Sequence, residues 1–261
     1  MSGPRVVSMV PSWTETLLEC GVAVVGRTRF CIHPRERVAA IPRVGGTKEW
    51  ALDKVLGAAP DLIVLDREEN PRAMAEEAPC PVLATHVRAA ADVAPEVERL
   101  AETVGGAAGE ELRGLAARWR RALEGPPAAL PEDWERLPGL RRWIRVPSFT
   151  PARLRAVEYL IWRDPWMGVA PATFIGSMLA RAGFAGLLPE RVDPYPRLDA
   201  RTLRAAEGTL LLCSSEPFPF ERFTEEIAAL GTPAALVDGE AWSWFGARSL
   251  RFLEGLRGSS G

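Results

Sequence analysis

An α/β fold built on parallel sheets is what this chain predicts, from three observations. The opening run, Arg5 to Gly21, reads as a short apolar strand, a Pro-Ser turn and a helix. The same alternation returns, with Val22 to Gly26 and Pro60 to Asp66 as further strands and a helix from about Ala51. A stretch at helical spacing then separates this set from a second group of apolar strands. Strands that alternate with helices bury both faces of a parallel sheet, which is the architecture such a pattern implies.

Each element has its own signal. The first strand rests on Val6, Val7, Met9 and Val10 and the turn on Pro11; the helix is expected to be capped by Ser12 or Thr14, with Glu15 in its first turn. In an open parallel sheet such a turn lies at the carboxyl edge, where the peptide donors of the helix start face the crevice. Pro81 to Thr85 is the last short strand of the first set. From Ala89 to about Leu123, Val93, Val97, Leu100, Val104, Leu112, Leu115, Trp119 and Leu123 keep helical spacing. Gly105-Gly106 interrupts them, so the stretch reads as one long helix or as two broken there. Gly125 to Pro131 and Leu137 to Gly139 mark an irregular linker. Beyond it, strands are expected around Trp143 to Val146, Arg155 to Trp162, Leu210 to Cys213 and Ala234 to Val237, and a last helix from about Gly246 to Leu256.

The strand-Pro-Ser-helix opening is followed by a Val-Gly-Gly-Thr loop (Val44 to Thr47), then by helix-Pro-Asp-Leu-Ile-Val with an acidic Glu68-Glu69-Asn70 edge. Together these resemble the helical-backbone metal receptor family, the substrate-binding proteins of ABC importers for cobalamin and ferric siderophores. The second half offers a similar set in Ala170 to Gly183, Tyr195-Pro-Arg-Leu198 and the strand Leu210 to Cys213. The resemblance implies two α/β lobes with central parallel sheets, joined by a long linking helix, with a ligand held in a cleft between them. The corresponding division is an N-terminal lobe over 1–88, a linking helix and irregular linker over 89–140, and a C-terminal lobe over 141–261. It further implies a cobalamin-type corrinoid or an iron-siderophore chelate as transported ligand, with no intrinsic cofactor, and an ABC permease as partner; a monomer is expected.

Composition bounds the function classes. The chain has 261 residues, 47% of them hydrophobic, enough for packed cores in one large or two small domains. A formal charge of -2 without a basic run argues against a nucleic-acid partner, because displacing condensed counterions needs clustered Lys and Arg. No stretch is long and apolar enough to span a bilayer. Met1 leads within a few residues into the first strand without a basic start, an apolar run and a cleavage site; a cytoplasmic location is therefore expected, the alternative being a periplasmic or cell-surface protein whose signal was removed. Cys20, Cys31, Cys80 and Cys213 show no CxxC spacing and read as reduced thiols.

Nine Trp stand against two Tyr, and most of the Trp lie in the second half. Ile161 to Met167 puts Trp162 and Trp166 directly after a strand, around a Pro that stops it; stacking on a flat ligand and core packing are the two readings for each ring. Ser214 to Phe220 follows the next strand, with two prolines holding Phe218 and Phe220 extended; Glu216 there is a ligand contact or a helix cap. Asp238 to Phe245 is expected to be a third loop, carrying Trp242 and Trp244, with core packing the rival role for one of them. Three aromatic loops at strand ends converge on one edge. In the first lobe the candidates are Ser12, Trp13 and Thr14, then Thr47, Lys48 and Trp50 beside Gly45-Gly46, and Glu68 to Asn70. His33 is a possible ligand to the metal of a bound chelate and otherwise a hydrogen-bonding loop residue; no bare-metal site is expected.

In the resembling family one surface Glu on each lobe docks on permease arginines, which makes Glu68, Glu69, Glu216 and Glu221 candidates, with a solvated surface as the alternative. No G-x-S-x-G elbow, P-loop or G-x-G-x-x-G is present, so no catalytic residue is assigned. The reading is a ligand-binding protein; the alternatives are a cytosolic enzyme or chaperone that processes the imported chelate, or a non-transport interaction module.

Overall fold

A computed structural model describes residues 3–204 and 207–258. The strands and helices form two compact units. One runs to Glu124 and takes in Trp244–Leu250; the other comprises Gly125–Ser243 and the residues from Arg251 onward. The Met1 start weighed above lies outside the described residues.

The first unit contains β1 (Arg5–Ser8), α1 (Pro11–Glu19), β2 (Ala23–Thr28), α2 (Arg35–Ala39), β3 (Arg43–Gly45), α3 (Leu52–Gly57), β4 (Leu62–Asp66), α4 (Arg72–Glu76) and β5 (Val82–Thr85), followed by α5 (Ala90–Val104) and α6 (Gly106–Leu123). Its sheet is wholly parallel, in the order β3-β2-β1-β4-β5. The chain winds outward from β1 to β3 and then returns to lay β4 against β1. The carboxyl ends of β1 and β4 therefore flank the point where the winding reverses, which is where open α/β sheets bind ligands. Val7, Ile63 and Leu65 from the central strands, with Met9 just beyond β1, pack on Val44, Val55 and Met74 to form the core. Burying each such side chain contributes roughly 1.5–3 kcal/mol.

The helical stretch is two helices, because Gly105 and Gly106 sit at φ 63° and 58°, a conformation that ends α5. Asp92 fixes the start of α5 by accepting from the N–H groups of Arg88 and Ala89 at 2.9 and 2.8 Å. α6 ends at Leu123, and the second unit begins two residues later at Gly125.

The second unit contains β6 (Leu140–Arg145), β7 (Ala156–Trp162), β8 (Trp166–Gly168), α7 (Phe174–Leu179), β9 (Arg197–Leu198), α8 (Ala200–Leu203), β10 (Thr209–Ser214), α9 (Thr224–Ala229), β11 (Ala234–Val237) and α10 (Gly239–Ser243). A final helix, α11 (Ala247–Gly258), starts in the first unit and ends in the second. The second sheet is mixed, in the order β6-β11-β10-β7-β8-β9. β7, β10 and β11 run parallel, while β6, β8 and β9 pair antiparallel with their neighbours. Leu160, Leu211, Cys213, Phe220, Ile227 and Leu236 form its core.

Two local expectations are corrected. α1 begins at Pro11 with Val10 in the cap position, so neither Ser12 nor Thr14 is the cap. Proline lacks the N–H that would otherwise need a partner and already has a helical φ, so it starts the helix by itself. The Asp238 to Phe245 stretch is not an open loop: Asp238 accepts from the N–H of Ala241 at 3.2 Å and launches α10.

Candidate functional site

In the first unit, the loops at the carboxyl edge are tied together by buried side chains. The Asn70 amide nitrogen donates to the carbonyls of Met9 (3.2 Å) and Thr47 (2.8 Å), and its oxygen accepts from the N–H of Asp66. One residue thus fixes the loops after β1, β3 and β4. Asp66 is fully buried and accepts from the Thr85 hydroxyl (2.6 Å) and from the N–H groups of Glu68 and Val87. Burial pushes its carboxyl above the usual carboxylate range, and these hydrogen bonds offset only part of the shift.

The three candidates at the start of α1 are buried. The Ser12 hydroxyl has no hydrogen-bond partner among the described residues. Trp13 donates its indole N–H to Thr85 at 2.8 Å and meets the Phe245 ring edge-on at 4.9 Å. The Thr14 hydroxyl bonds to Ser8 and the Val10 carbonyl and contacts the Cys31 sulfur at 3.0 Å. Burial holds the Cys31 thiol above its ordinary value, so it is not a ready thiolate. Thr47 is half-buried, exposed Lys48 donates to the Glu69 carbonyl at 2.5 Å, and Trp50 packs against the core of this unit.

Trp244 falls in this unit too. It is 8% exposed, with the Arg248 guanidinium 5.3 Å above its ring and His33 edge-on at 5.6 Å. Arg248 forms a two-pronged bond to the buried carboxylate of Glu15, 2.8 Å on each arm. On the surface, Glu68 approaches the His86 ring nitrogen at 3.1 Å. Phe30 and Ile32, in the loop after β2, are close to half exposed.

In the second unit, the carboxyl ends of β7, β10 and β11 share one edge because these strands are parallel neighbours. Trp162 ends β7 and is 42% exposed; its ring meets Phe218 edge-on at 5.4 Å. Phe218 in turn packs on Phe220 and Phe223. Trp166 stacks on the buried Phe220 with planes 9° apart, and Arg163 lies over both Trp166 and Phe223. Glu216 is half-buried and its carboxylate accepts from Ser243 at 2.6 Å, so α10 holds it. Exposed Glu221 engages its own carbonyl with Arg142.

Trp242 is fully enclosed by Tyr159, Phe252 and Gly139. Its ring therefore packs the core of this unit, because α10 turns it inward where an open loop would have left it free. The structure brings Trp162, Trp166, Phe218 and Glu216 to one edge of the second unit, and Ser12, Trp13, Thr14 and Thr47 to one edge of the first. The sequence reading missed the cross-linking roles of Asn70 and Thr85; their positions after β4 and at the end of β5 were the available signal. Among the described residues, no three His, Cys, Asp or Glu side chains are grouped to hold a metal ion.

A family model described as periplasmic binding protein matches residues 6–235. Searching curated protein sequences gives no match. Among solved structures, the periplasmic vitamin B12 binding protein of Vibrio cholerae is 14% identical, with a TM-score of 0.66 over 97% of this chain and 95% of that one. The periplasmic heme-binding protein of Vibrio cholerae is 14% identical, with a TM-score of 0.69 over 98% of each chain. The siderophore-binding protein of Vibrio cholerae, solved with Fe3+-Desferal, is 19% identical, with a TM-score of 0.62 over 99% of this chain and 98% of that one. At these identities the likeness is one of fold.

Proposed function

The chain belongs to the periplasmic binding protein family, in its helical-backbone metal receptor class, and from that premise we propose that it is the substrate-binding protein of an ABC-type importer for a cobalamin-type corrinoid or an iron chelate. The observation that carries the ligand class is Trp162, a 42% exposed indole backed by Phe218 at the carboxyl end of a parallel strand. A large aromatic face left in water forgoes on the order of 1–2 kcal/mol of burial, which a corrin, porphyrin or aromatic chelate would recover. Family members bind rather than transform their ligands, so no catalytic step is assigned, and the chelate is cargo rather than a resident cofactor.

Glu68, Glu69 and Glu221 are proposed to meet permease arginines, and the protein is proposed to act as a monomer. The expectation of a cytoplasmic location finds no support in the relatives, two of which are described as periplasmic. The periplasmic or cell-surface alternative fits the family better. No helix among the described residues is long and apolar enough to cross a membrane.

The test is a tryptophan-fluorescence titration with cyanocobalamin, a ferric siderophore and hemin, corrected for inner-filter absorption and repeated by calorimetry. Saturable one-to-one binding of one of them supports the reading and names the ligand. Absence of binding to all three removes the chelate class.

A further inference from the structure

We infer a second binding site, for a small carboxylate with an apolar body, in a pocket of the first unit. The pocket encloses about 490 Å³ where the ends of β4 and β5 meet α4. Sites for small molecules generally measure roughly 300–1,000 Å³. Leu65, Ala75 and Ala84 supply its apolar wall, and Arg67 and Arg72 its charge. None of these residues belongs to the aromatic group of the second unit.

The polar inventory fixes the sign of the ligand. Asp66 lines the pocket, but its carboxylate already accepts from Thr85, Glu68 and Val87. Asn70 has spent its oxygen on Asp66 and its nitrogen on Met9 and Thr47. These two side chains therefore have little accepting capacity left for a ligand donor. Donors remain: the Arg67 side chain makes no ion pair or hydrogen bond among the described residues, and Arg72 gives only its Nε to Glu76, at 2.7 Å in an exposed pair. Water competes with that exposed pair, so its terminal nitrogens are available at small cost.

Two guanidinium forks favour a planar carboxylate, which they can grip with paired hydrogen bonds. A strongly hydrated inorganic anion would lose water against Leu65, Ala75 and Ala84 without compensation. A carboxylate on an aromatic ring or short alkyl chain satisfies both halves of the site.

Benzoate is the probe. It is titrated into the whole protein by calorimetry and by following amide chemical shifts, with uncharged benzamide as control. Saturable benzoate binding with shifts centred on residues 65–75 and 84 is expected, with no binding of benzamide. Arg67→Gln with Arg72→Gln should weaken binding at least about tenfold, equivalent to roughly 1.4 kcal/mol, at unchanged Tm because both side chains are exposed. Ala75→Leu, which keeps both arginines and pushes a larger side chain into the pocket, should weaken it as well. Non-saturating shifts, equal binding of benzamide, or undiminished binding in either variant would overturn the assignment.

Discussion

The indole N–H of Trp13 donates to the hydroxyl of Thr85 at 2.8 Å, and that hydroxyl donates onward to Asp66 at 2.6 Å. Residues 72 positions apart in the chain thus share one buried hydrogen-bond relay joining α1, β5 and β4. A buried donor or acceptor without a partner costs about 1–3 kcal/mol, so the relay is worth most as a set. Thr85→Val removes the shared hydroxyl and should lower the unfolding free energy by about 1–3 kcal/mol in urea titrations. Trp13→Phe removes the indole donor together with part of a fully buried ring, so it too should destabilise the protein.

Asp66 makes part of the stability pH-dependent. Its native carboxyl is held above the ordinary value by burial, so the folded state keeps its proton where the unfolded chain has lost it. This contribution is complete below the unfolded carboxylate value, about 4, and is lost as pH rises through the raised native value. Urea midpoints measured across that window should fall with rising pH, and Asp66→Asn should remove this component of the slope. Equal slopes in the two proteins would contradict the assignment.

Trp162 and Trp242 should respond oppositely to truncation. Trp162→Ala is expected to leave the thermal midpoint nearly unchanged while weakening chelate binding by about 1–3 kcal/mol in calorimetry. Trp242→Ala empties a fully enclosed site and should cost about 3–5 kcal/mol of stability.

The Glu15–Arg248 pair gives a further contrast. Arg248→Ala removes the two-pronged bond to the buried Glu15 carboxylate and should destabilise the protein by about 3 kcal/mol. Adding Glu15→Gln should restore part of that loss, because the buried charge that Arg248 met is then gone. Urea unfolding of the wild type and the three variants measures the coupling directly.

The fold was legible because its signals are local. Val6, Val7 and Ile63 stand in short apolar runs, and Gly105 and Gly106 mark the break between α5 and α6. Errors arose where neighbouring signals competed: Pro11 displaced Ser12 and Thr14 from the cap, and Asp238 turned an expected aromatic loop into α10.

The candidate site was legible only in part. The sequence by itself determined which residues follow strand ends, since strand and helix periods place them there, and so it nominated Trp162, Phe218 and Thr47 together with Trp13 and Trp242. Only the tertiary structure decided which rings meet solvent and which polar atoms share a partner. Trp162 ends β7 and Trp242 lies on the short helix after β11, yet the same residue type is 42% exposed in one and fully buried in the other. The difference comes from Tyr159, Gly139 and Phe252, which enclose Trp242, the first two of them far from it in sequence. The same holds for Trp13, Thr85 and Asp66: burial and hydrogen-bond partnership depend on packing between distant segments, which no local period encodes.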